Sequence, residues 1–130
     1  MKKVDLLLAL DKLEKAYNRL DQAVLIAQDE LAKDGVIQRF EFTAELLWKT
    51  LKIILEYNKI DASGGPRQCV KLAFRNGLID DDEILLDMLD DSRSSHIYDE
   101  DTSKEIFLRI KEIYLAVIKK IIVRLRDQNQ

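Results

Sequence analysis

Leu6, Leu10, Leu13, Tyr17, Leu20, Val24, Ala27 and Leu31 recur at alternating steps of four and three. That spacing places them on one stripe of a long helix. Lys12, Glu14, Lys15, Arg19, Asp21 and Asp29 occupy the other faces, as a solvated surface should. Asp34-Gly35 interrupts the pattern, and Asp34 is placed to cap the next helix. This second helix is predicted to run to about Asn58. Ile37, Phe40, Ala44, Leu47, Leu51, Ile54 and Leu55 form one stripe of it, and Phe42, Leu46 and Ile53 form another. Trp48 sits beside the first. A helix apolar around most of its circumference has partners on more than one side, so this one is expected at the centre.

Lys59–Gly65 reads as a loop. Pro66 suits the first turn of a short third helix, and Gly77 is placed to end it. Asp80-Asp81-Asp82 opens a fourth helix, because carboxylates favour the positive end of the helix dipole. Its apolar positions are Ile84, Leu85, Met88 and Leu89, and it reaches about Ser92 or Ser95. A loop over His96–Asp101 comes after it. Thr102-Ser103-Lys104-Glu105 then reads as a capping box for the last helix. Phe107, Ile110, Tyr114, Val117, Ile121 and Leu125 line one face of that helix, widened by Ile106, Ile113, Ile118 and Ile122.

No strand pattern, repeat or dividing linker interrupts this order. The expected fold is all-α: an up-and-down four-helix-type bundle with one additional short helix, in a single domain over residues 1–130. One proline and four glycines in 130 residues agree with long helices.

Charge and cysteine content narrow the function classes. The net charge of −3 supplies no general basic footprint for nucleic acid or anionic membranes. Cys69 is the only cysteine, which excludes an intrachain disulfide and a thiolate metal cluster, and it reads as a small core thiol. A reducing cytoplasmic setting is therefore expected. The apolar run Leu6–Leu10 is too short for a signal sequence, and no run approaches the roughly 20 residues of a membrane span. Phe40, Phe42 and Trp48 read as core; exposed, they would mark a partner surface.

The candidate chemistry lies in Arg93-Ser94-Ser95-His96-Ile97-Tyr98-Asp99-Glu100. His96 is the only histidine, and its imidazole is the natural carrier of a proton near neutral pH. Arg93 offers a fork of donors for phosphate or carboxylate. Tyr98 offers a hydroxyl that could take a modifying group. Arginine plus histidine is a minimal kit for RNA cleavage. Against that, Asp87, Asp90, Asp91, Asp99, Glu100 and Asp101 would repel a polyanion. A histidine near a helix end can also serve structure alone. No metal-ligand spacing and no phosphate-cradling glycine loop is present, so neither a metal nor a cofactor is expected.

Ile37-Gln38-Arg39-Phe40-Glu41-Phe42-Thr43-Ala44-Glu45-Leu46-Leu47-Trp48-Lys49-Thr50-Leu51-Lys52 resembles the opening signature of the nucleotidyltransferase substrate-binding proteins, within the HEPN group. Pro66-Arg67, Ala73-Phe74, Gly77-Leu78-Ile79, Met88-Leu89-Asp90-Asp91 and Ser95-His96-Ile97-Tyr98-Asp99-Glu100 succeed one another in the family's order. The resemblance implies a helical partner of a minimal nucleotidyltransferase, in a two-component system of toxin–antitoxin type, and a homodimer. It implies a presented surface of Asp90, Asp91, Arg93, His96 and Tyr98. The alternative it carries is a metal-independent endoribonuclease acting on RNA, with His96 and Arg93 catalytic and Tyr98 silenced by AMP addition. A third reading is an interaction bundle without chemistry. The resemblance implies an arginine followed by a polar residue and then four to six positions before the histidine. Here Arg93 stands only three before His96, which favours the partner reading.

Overall fold

The computed structural model describes residues 1–94 and 99–130, the Ser94 side chain apart. His96 and Tyr98 lie outside the described residues. The elements are α1 (Lys3–Ile26), α2 (Glu30–Tyr57), α3 (Pro66–Arg75), α4 (Asp82–Ser94), α5 (Glu100–Arg109) and α6 (Leu115–Gln128). A π-helical turn over Ile110–Tyr114 joins α5 to α6 without a break. The fold is all-α, with no strand among the described residues: three long helical runs, and α3 and α4 as shorter elements.

The first boundary differs from the sequence expectation. α1 ends at Ile26, and Asp29, not Asp34, caps α2 by accepting from the Ala32 N–H at 2.8 Å. Leu31 consequently stands in the first turn of α2 and is exposed. Asp29 wins because Glu30 comes next at the positive end of the dipole. Gly35 then lies within α2, where its cost is modest.

α2 is central, packing on α1, α3, α4 and α5. Its Phe40, Ala44, Leu47, Leu51, Ile54 and Leu55 are buried with Leu6, Leu10, Leu13 and Leu20 of α1. The second predicted stripe of α2 is not core. Leu46 and Ile53 are half-buried and Phe42 is exposed, because no element covers that flank. Ile113 of the π turn is likewise exposed.

α3 ends as predicted. Gly77 adopts φ 76°, and the Leu78 N–H reaches back to the Ala73 carbonyl at 2.9 Å, a left-handed helix stop. The Gly77 carbonyl then accepts from Arg124 Nη2 (3.0 Å) and Gln128 Nε2 (2.9 Å), which fixes the α3–α4 corner to α6. Cys69 is buried as expected, with its Sγ 3.2 Å from the Ala62 carbonyl oxygen.

Asp81 caps the start of α4 through the Ile84 N–H (3.3 Å). The last helix begins earlier than Thr102: Asp99 is its cap, accepting from the Thr102 N–H at 2.9 Å. Glu100 and Asp101 extend the negative charge into the first turn, so Thr102 lies inside the helix instead of capping it.

Candidate functional site

The end of α4 carries three of the five residues expected on the presented surface. Asp90 is exposed and accepts from Arg67 Nη1 of α3 at 2.9 Å. Arg93 is exposed one turn further on. Asp91, between them in sequence, turns inward and is only 17% exposed at its side chain. The helical period sends neighbouring positions to different faces.

Asp91 is held three ways. Arg109 grips it with Nε on Oδ2 (2.8 Å) and Nη2 on Oδ1 (3.1 Å), the bidentate geometry of a guanidinium on a carboxylate. The Tyr114 hydroxyl donates to the same Oδ2. Burial, then the Asp91 carboxylate, push the Tyr114 phenol well above its ordinary pKa. The hydrogen bonds that Arg109 donates to Asp91 also raise the Arg109 pKa, so the guanidinium stays charged. Tyr114 in turn stacks on Phe40, with centroids 5.4 Å apart and planes within 4° of parallel. The last turn of α4 is thus anchored to the π turn and, through Tyr114, to central α2.

Ser92 is buried, and its hydroxyl donates to the Leu89 carbonyl at 2.9 Å. Across from Arg93, Glu45 accepts from the Trp48 indole N–H (3.0 Å) and pairs with Lys49 (3.4 Å). The indole bond is the main reason its carboxyl lies below the usual glutamate range; Lys49 and the Arg93 charge add to the effect. The charge of Arg93 is therefore felt at Glu45 on α2.

On the far side of the motif, the N-termini of α2 and α5 enclose a cavity of about 240 Å³ lined by Glu30, Lys33, Asp34, Asp99, Glu100 and Lys104 among others. The proximity of the two carboxyls raises the Glu30 pKa and lowers that of Glu100, with Lys104 adding to the fall at Glu100. The Asp99 carboxyl sits below its usual range because it accepts the Thr102 N–H. No group of three or more metal-ligating side chains is assembled among the described residues.

The site combines an exposed Arg93, a mixed-charge cleft, and two helix ends tied down on either side of residues 95–98. Arg109 and Tyr114, which hold Asp91, carry no site signal in the sequence. They lie 18 and 23 positions away, beyond any local spacing rule. Arg67 carries one, since it stands in one of the ordered family motifs.

Comparisons with known proteins agree with one another. A family model described as nucleotidyltransferase substrate binding protein like matches residues 8–127. The probable ribonuclease HepT of Haemophilus influenzae is 29% identical, with 95% of each chain aligned. A crystal structure of a Thermus thermophilus protein superposes with a TM-score of 0.78 at 30% identity, covering 88% of this chain and 98% of that one. Among the described residues, no helix is long and apolar enough to cross a membrane.

Proposed function

This chain belongs to the nucleotidyltransferase substrate binding protein-like family, and on that premise we propose that it is the helical partner subunit of a two-component minimal nucleotidyltransferase system. The carrying observation is the exposure of Arg93 at the end of a helix whose preceding turn is locked through Asp91. The anchored end of α4 and the capped start of α5 are proposed as the surface on which an enzyme docks, with His96 and Tyr98 as the chemistry the sequence places between them. The partner would carry the nucleotide site and its catalytic carboxylates. In this reading it transfers AMP from ATP to the Tyr98 hydroxyl: the phenol oxygen bonds to the α-phosphorus, pyrophosphate leaves, and the phenolic proton is lost to base. The chain is proposed to act in the cytoplasm, as a homodimer, in a pair of toxin–antitoxin type.

Reading the neighbouring frame for a minimal nucleotidyltransferase, co-expressing the two and applying mass spectrometry tests this. A stable complex and one adenylyl group on Tyr98 are expected. A neighbouring nucleotidyltransferase that neither binds nor modifies the chain would overturn the proposal.

The relative's description as a probable ribonuclease supports a second reading. Here His96 moves the proton and Arg93 holds the phosphate of an RNA substrate, without metal. Purified chain is then expected to cleave RNA and His96→Ala to abolish it; equal activity in that variant ends the idea.

A further inference from the structure

Away from Arg93, the outer seam between α1 and α2 separates charge in a way the net value of −3 conceals. Arg39, Phe42, Leu46, Lys49 and Ile53 recur at steps of three and four, so they form one stripe of α2. Leu8, Lys12, Lys15 and Arg19 form the facing stripe of α1 by the same rule. The seam closes where Thr43 meets the Ala16 carbonyl, and a hollow of about 280 Å³ opens on either side. Leu8, Ala9, Lys12, Leu46, Lys49 and Ile53 help line one hollow; Arg19, Ala23, Ile26 and Arg39 help line the other.

Lys12, Lys15, Arg19 and Arg39 have no ion-pair partner among the described residues. The carboxylate in the seam, Asp5, is occupied by the Lys2 backbone N–H at 3.0 Å. Phe42 is 59% exposed in the middle of this cationic strip. Arg39 and Lys49 are about 15 Å apart along α2, and Lys12 and Arg19 about 10 Å apart along α1. Cations strung in a line suit repeated phosphates better than one compact anion. An exposed ring between them suits a stacked base.

We propose that the α1–α2 seam is a binding track for single-stranded RNA, with Lys12, Arg19 and Arg39 taking phosphates and Phe42 stacking a base. The track goes beyond the docking role above and requires no cleavage by the chain.

Fluorescence anisotropy with a short 5′-fluorescein oligouridylate tests it, using the full chain with His96→Ala so that no cleavage intervenes. The Lys12→Glu/Arg39→Glu pair is expected to lower affinity at least tenfold and to flatten its salt dependence. Phe42→Ala is expected to weaken binding about tenfold with the salt slope kept. Lys120→Glu, on α6, is expected to leave affinity unchanged, and circular dichroism checks that each variant is folded. Unchanged affinity in the folded charge-reversal pair overturns the proposal. So does a Phe42→Ala variant that turns a dimer into a monomer at unchanged RNA affinity, which would give the face to a second copy. Loss of nucleotidyltransferase docking with RNA binding intact would strike the partner reading alone.

Discussion

The Tyr114 hydroxyl donates to Asp91 Oδ2 from a π turn 23 residues further along the chain, and Arg109 clasps the same carboxylate. This contact sets the direction of α4's last turn and hence where Arg93 stands. Tyr114→Phe removes one charge-assisted hydrogen bond and is expected to cost about 1–2 kcal/mol. Asp91→Ala leaves Arg109 and Tyr114 without their acceptor and is expected to cost about 3 kcal/mol. Urea denaturation of the two variants measures both, and equal stabilities to the parent would refute the anchoring role.

Alkaline pH should expose the same contact. The Tyr114 pKa is raised in the folded state, so its contribution is complete below the unfolded tyrosine value of about 10. It should be lost progressively as pH climbs from there towards the higher folded value. Tyr114→Phe should remove that part of the alkaline destabilisation, read as a flatter plot of unfolding free energy against pH.

Acid should be reported by Trp48, the only tryptophan in the chain. Glu45 accepts its indole N–H, and the Glu45 pKa is lowered chiefly by that bond. Its stabilising effect is therefore present above the unfolded glutamate value of about 4.3 and lost as pH falls through the lower folded value. Trp48 emission should titrate below the ordinary glutamate range, and Glu45→Ala should abolish that step. A titration at or above the ordinary value would contradict the assignment.

Two glycines should respond in opposite directions to alanine. Gly77 holds φ 76° at the end of α3, so Gly77→Ala is expected to cost roughly 1–2 kcal/mol through backbone strain alone. Gly35 is inside α2 with open space where a Cβ would sit, so Gly35→Ala is expected to stabilise by about 0.5–1 kcal/mol. Thermal melts of the two variants should move to opposite sides of the parent.

Truncating the ring that supports Tyr114 should be the most damaging of these changes. Phe40 is fully buried and stacked on Tyr114, and Phe40→Ala is expected to cost about 3–5 kcal/mol. Loss of helical signal at lower urea than for Tyr114→Phe would confirm that the stack matters more than the hydroxyl.

Helix count, order and central α2 were legible because a 3.6-residue period leaves its mark in the spacing of Leu6, Leu10 and Leu13 and of Phe40, Ala44 and Leu47. Pro66 and Gly77 marked the ends of α3 for similarly local reasons. The cap positions were harder. Asp29 and Asp34, or Asp99 and Thr102, are rival local choices separated by small energies, and the acidic residues that come directly after Asp29 and Asp99 tip each choice.

The order of the motifs alone pointed to the family and to the segment around Arg93, since both depend on which residues succeed one another. Only the folded bundle decided that Asp91 turns inward while Asp90 and Arg93 face out, and that Phe42 has no helix over it. Periodicity tells which side chains share a face. Whether a face is covered depends on contacts between residues far apart in the chain, such as Asp91 with Tyr114 or Thr43 with Ala16, and these exist only once the helices have packed.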